Sequence, residues 1–128
     1  MEIKTHNLVS KKLVGEPLKV RDGFAEVQLQ TMEEMAVDEY GLIHGGFTFG
    51  LADHAAMLAV NEPTVVLGKA EVKFLKPVKV GEKLTARAAV IEDLGRKKVV
   101  KAEVSNERGE KVFEGTFHCY VLDRHVLL

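Results

Sequence analysis

The segment from Gly45 to Asn61 contains only four polar side chains, Thr48, Asp53, His54 and Asn61. Alanine, leucine and methionine favour helix, and strand-like alternation is absent. Glycines open the segment and Pro63 closes it, because the residue ahead of a proline avoids helical angles. These signals predict one helix over about Gly45 to Asn61. A helix apolar on nearly every side has to be wrapped by something else, so the rest of the chain must supply the wrapping. A membrane span is rejected. Its uninterrupted apolar stretches fall far short of the roughly 20 residues a bilayer needs, and an Asp-His pair midway along would be costly there.

Residues three, four and seven apart share a helix face, which places Gly46, Gly50, Asp53, Met57 and Val60 on one stripe. Phe47, Leu51, Ala55 and Leu58 fall on the opposite side. Two glycines ahead of the carboxylate leave a slot without side chains, open to a partner helix or a thin ligand.

The flanking chain reads as strands. Residues 1 to about 11 are polar and predict a short helix or a frayed end. A first strand is expected over Leu13 to Arg21, with Gly15 and Pro17 marking an edge or a bulge. Asp22-Gly23 is a hairpin signal, and Ala25, Val27 and Leu29 then alternate with polar neighbours. Residues 31 to 43 read as a loop with one helical turn. After Pro63 come four more strands, carrying Ala70, Val72 and Phe74, then Leu84, Ala86, Ala88 and Val90, then Val100, Ala102 and Val104, and finally Val112 to Val121. Two strands, one buried helix and four strands predict an α+β domain, a mainly antiparallel sheet curled round the helix. One curled sheet cannot cover every side of it, so burial asks for a second subunit.

At 128 residues, 46% apolar and 29% charged, the chain fits one globular domain with a real core. A net charge of -1 gives no bulk attraction to nucleic acid or an anionic membrane. Cys119 is the only cysteine and cannot form an internal disulfide, which fits a reducing cytoplasm. The start, Met1 to His6, lacks a signal-peptide apolar region, so no export is expected.

In this order of elements, His44-Gly45-Gly46 opening the helix, Leu51-Ala52-Asp53 within it and a later Pro77-Val78-Lys79-Val80-Gly81-Glu82 resemble the hotdog-fold thioesterase superfamily. The likeness is to its phenylacetate-degradation (PaaI-type) branch and spans about residues 13 to 122. It implies a hotdog fold, assembled as a homodimer or dimer of dimers, hydrolysing acyl-CoA or a related thioester. Coenzyme A then enters as part of the substrate, and no other cofactor is implied. The resemblance also implies that a backbone N–H at the helix start, Gly45 or Gly46 by position, polarises the thioester carbonyl, and that Asp53 drives attack. Free N–H groups and the positive helix end converge at that start, which suits a developing oxyanion. Gly45 and Asp53 are eight residues apart, about 12 Å along a helix axis. A nucleophile must come within about 3.5 Å of the carbonyl carbon, so one chain's Asp53 cannot serve its own Gly45. A shared site, with Asp53 from the facing subunit, follows if Asp53 is catalytic.

The departures from the branch are specific. It commonly carries asparagine six residues before the motif histidine, to orient water; here that position is Asp38. Some members use a serine or threonine on the strand after the helix, where this chain has Leu67 and Gly68, with Thr64 out of register. Phe47, Gly50, Met57, Asn61, Leu67 and Gly68 are candidate substrate contacts, with Phe49 bearing on the depth of the pocket. The His44 side chain reads as positional, and His54 as an interface residue about 100° round the helix from Asp53. His44, His54, His118 and Cys119 lack metal-ligand spacing, so no metal is expected. Lys69, Lys73, Lys76 and Lys79, or Arg96-Lys97-Lys98, are a solvated face that could meet coenzyme A phosphates.

A different class of function is a non-hydrolysing binder of acyl-CoA or acyl-carrier protein, as hotdog domains are in lipid-responsive repressors. Only about a dozen residues precede the first strand, too few for a DNA-binding helix-turn-helix. A hotdog hydratase ranks below both. Its Asp-x-Asn-Pro-x-His pattern is absent from Asp38-Glu39-Tyr40-Gly41-Leu42-Ile43-His44.

Overall fold

The computed structural model describes all 128 residues. In chain order the elements are α1 (Lys11–Val14), β1 (Glu16–Arg21), β2 (Phe24–Gln30), α2 (Gly45–Val60), β3 (Val65–Phe74), β4 (Lys83–Asp93), β5 (Lys97–Ser105) and β6 (Lys111–Val121), with one 3-10 turn at Glu33–Met35. The six strands form a single sheet in the order β1-β2-β4-β5-β6-β3, antiparallel at every step. This is the hotdog fold, a curled sheet round one long helix.

The helix is buried because the sheet offers it a floor of small side chains. Ala86, Ala88 and Ala102 of β4 and β5 are at most 1% exposed, and Ala88 lies directly opposite Ala102. Ala52, Ala55, Ala56 and Ala59 of α2 are likewise buried, so helix and sheet approach closely. Larger residues close the two sides: Val27 and Leu29 of β2, and Phe113 and Phe117 of β6. Asn61 ends α2 in the left-handed conformation, φ 51° and ψ 49°, as asparagine tolerates better than most residues.

The N-terminal third departs from the sequence reading. The first strand starts at Glu16, not Leu13; Leu13 and Val14 belong to α1, which Ser10 caps by accepting from the Leu13 N–H at 3.3 Å. Gly15 makes the change of direction at φ +105°, a region L side chains avoid. It is also jammed: a Cβ there would lie 2.7 Å from Val27 Cγ1 and 2.8 Å from Leu51 Cδ1. Gly15→Ala should therefore cost about 2–4 kcal/mol, read as a lowered urea midpoint with an unchanged slope.

Residues 1–10 are not a frayed end. The Lys4 N–H donates to Asn61 Oδ1 and Asn61 Nδ2 donates to the Glu2 carbonyl, both at 2.8 Å. The His6 ring stacks on buried His54 at 6.3 Å. The segment is strapped across the C-terminal end of α2.

Candidate active site

The entry to α2 is fixed by backbone bonds from two directions. His44 N–H donates to the Met35 carbonyl at 3.0 Å and Ile43 N–H to the Val78 carbonyl at 2.9 Å. Ahead of them, Asp38 Oδ1 accepts from the N–H groups of Tyr40 at 3.0 Å and Leu42 at 3.2 Å. That carboxylate is exposed and occupied in shaping its own loop.

His44 is the N-cap, extended at φ -61° and ψ 130°, and its Nδ1 accepts the Gly46 N–H at 2.7 Å. The ring is therefore a capping group, which needs Nδ1 unprotonated. Between the two candidate donors the hydrogen bonds discriminate. Gly46 N–H is satisfied by His44, whereas Gly45 N–H has no acceptor in the chain. A free amide at the positive end of a sixteen-residue helix is a ready donor for an oxyanion.

Asp53 lies two turns further on. Phe49, four residues earlier, packs on Phe117 and Phe113 of β6, with ring centroids 5.6 and 6.4 Å apart. Asp53 points to the same strand, close enough for its charge to act on Cys119. Burial and then that charge push the Cys119 thiol up to about 12, so it stays protonated and inert. Asp53 Oδ1 is buried without a hydrogen-bond partner. Loss of hydration raises its carboxyl from 3.8 to about 6. The unbroken helix keeps Gly45 and Asp53 about 12 Å apart along its axis.

The other candidates find different surroundings. The slot at Gly50 is filled from within the chain: a Cβ there would sit 3.3 Å from Val14 Cγ1 of α1. Met57 is 1% exposed, inside the core rather than at a surface. The Asn61 amide is spent on Glu2 and Lys4. Gly68, at the β-bulge next to Leu67, makes room for the Tyr120 ring, 2.5 Å from where its Cβ would be. Each of these has an intrachain explanation that one-dimensional spacing does not reveal. Phe47 remains at the mouth, half-buried, with its ring edge-on to His44. Of the basic residues, Lys76 pairs with Glu110 at 2.8 Å, Lys98 with Asp93 at 2.9 Å, and Arg96 with Asp123.

Sequence reasoning missed Phe74. Its ring stands against Gly45, with Cε1 3.0 Å from where a Cβ on that glycine would lie. A usable signal existed: Phe74 comes just before the loop whose Val78 carbonyl anchors Ile43, so the end of β3 must reach the helix mouth. The largest cavity, about 500 Å³, is elsewhere, between the N-terminal strap and the C-terminal tail near Thr5, Thr64 and His125. It includes neither Gly45 nor Asp53, and the chemistry of the site outweighs its size.

Sheet, buried helix and capped glycine entry together make a hotdog domain. The chain belongs to the Thioesterase superfamily, whose sequence pattern matches residues 40–113. It is 55% identical over 118 residues to the methylthioribose-1-phosphate isomerase of Aquifex aeolicus, matching 91% of this chain but a quarter (25%) of that protein. It is 27% identical over 125 residues to the transcription factor FapR of Caldanaerobacter subterraneus, of which it spans 62%. Among solved structures, PH1136 of Pyrococcus horikoshii superposes with a TM-score of 0.98 at 65% identity, covering 100% of this chain and 98% of that one. The E. coli PaaI protein of the phenylacetic acid degradation operon gives 0.81 at 26% identity, covering 88% and 83%. A hypothetical thioesterase of Streptococcus pneumoniae, solved with coenzyme A, gives 0.78 at 26%, covering 86% and 87%.

Proposed function

We propose that the protein is an acyl-CoA thioesterase whose active site is shared between two copies of the chain. The observation that carries this is Asp53: a carboxylate with a buried, unpartnered oxygen on the helix whose first amide is also free. An unpaired buried carboxylate is costly, so its retention points to a job. The coenzyme A bound by the pneumococcal relative supports the substrate class.

Gly45 N–H of one protomer donates to the thioester carbonyl oxygen, and Asp53 of its partner faces the carbonyl carbon. Acting as general base, Asp53 takes a proton from water as the water oxygen bonds to that carbon. The tetrahedral oxyanion is held by the amide and the helix end, then collapses with cleavage of the C–S bond. The leaving thiolate takes back the proton held by Asp53, giving the free acid and coenzyme A and restoring the carboxylate. A carboxyl raised to about 6 is a stronger base than an ordinary one and is still ionised at neutral pH. The edge strand β3, bonded only to β6, and the exposed Leu75 just past its end support assembly with a second copy. No helix is long and apolar enough to cross a membrane, and the lone Cys119 suits a reducing compartment such as the cytoplasm.

The test is thiol release across acyl-CoAs of differing length and aromaticity. With at least one of them, kcat/KM should fall as pH drops through about 6, following protonation of Asp53. Silence across the whole series would sink the proposal. The similarity to FapR, a transcription factor and not a named hydrolase, favours a second reading in which the thioester is bound without being hydrolysed; tight acyl-CoA binding with no thiol released would select it.

A further inference from the structure

We infer that Phe74 sets how much bulk the site accepts on the carbon next to the thioester carbonyl. This rests on the thioesterase reading and goes beyond it by assigning a selectivity to a named side chain. Phe74 closes β3 and pairs across the sheet with Phe113. The two rings meet edge to face, 5.1 Å apart at 77°. Phe113 is fully buried, and the backbone just past Phe74 is pinned by the Leu75 N–H to the Val112 carbonyl at 2.8 Å. One side of the Phe74 ring is therefore fixed. The rest is open, since the residue is 56% exposed.

The open part faces Gly45. A Cβ on that glycine would lie 3.0 Å from Phe74 Cε1 and 3.5 Å from both Cδ1 and Cζ. The ring thus occupies the space a side chain at position 45 would take, beside the first amide of the helix, which has no acceptor in the chain. An oxygen bonded to that amide sits about 2.9 Å from the nitrogen. The carbonyl carbon and its neighbour are then carried alongside the ring. An unbranched CH2 passes its flank; a methyl branch on that carbon runs into it. A side chain at 45 would therefore have to push the ring aside.

The experiment compares butyryl-CoA with its α-branched isomer 2-methylpropanoyl-CoA, using wild type, Phe74→Ala and Phe74→Leu. Wild type should prefer the straight chain. In Phe74→Ala that preference should fall at least about 10-fold, the scale of one methyl in a fitted site. Phe74→Leu should fall between the two. A preference unchanged in both variants overturns the inference while leaving the thioesterase reading intact. Equal loss of both substrates in Phe74→Leu, with an unaltered circular dichroism spectrum, also overturns it, because it marks the ring as structural support. If wild type releases thiol from neither ester nor from any longer acyl-CoA, the thioesterase reading itself falls.

Discussion

Asp53→Asn should lower kcat/KM for thioester hydrolysis by about 10³-fold and, at the same time, make the protein more stable above pH 6. The two effects have one cause. The folded state holds the Asp53 proton more tightly than the unfolded chain, 3.8 rising to about 6. Folding therefore takes up a proton between those values, and stability present at low pH is lost as pH rises through about 6. The full difference is worth about 3 kcal/mol, an upper figure because water still reaches part of the side chain. Asparagine has the same shape and cannot ionise. Its melting temperature should match wild type near pH 4 and exceed it by several degrees at pH 8. Melts at the two pH values check this, and a wild type more stable than the variant at pH 8 would show that the charge is compensated in the native assembly.

Why some of this was legible in one dimension and some was not comes down to the range of the forces involved. The central helix announces itself locally, through composition and Pro63, and its observed span Gly45–Val60 differs from expectation by the one residue, Asn61, that turns left-handed. Strands with one buried face, such as Ala25, Val27 and Leu29 against polar neighbours, carry their own period. Leu13 and Val14 look equally strand-like, but Gly15 at φ +105° ends a helical turn there. Val27 and Leu51, from other elements, leave no room for a side chain at that glycine. The candidate site divides along the same line. His44, Gly45, Gly46 and Asp53 lie at or along one helix, and the family resemblance is what groups them. The jobs of Gly50, Asn61 and Gly68 depend on Val14, Glu2 and Tyr120, brought in by tertiary packing. Spacing could propose them as contacts; only the fold shows what fills them.

A cross-protomer complementation experiment should restore activity from two dead chains. Gly45→Pro is the natural partner for Asp53→Asn. Proline at the first helical position fits the helix and removes only the N–H, which here has no acceptor to lose. His44 is already extended, at φ -61° and ψ 130°, as a residue before proline prefers. The new ring presses on Phe74, whose exposed side has space to yield. Each variant alone should be inactive, the first for want of a carbonyl-polarising amide and the second for want of a base. When they are mixed, unfolded and refolded together, half of the two-fold dimers are hybrids. In each hybrid one site joins an intact Gly45 to an intact Asp53, and the other site is doubly defective. Total turnover should recover to about a quarter of wild type at equal mixing. A site built within one chain predicts no recovery, because every chain then carries a broken site. The 12 Å between the two groups along a straight helix makes recovery the required outcome if both act on one carbonyl.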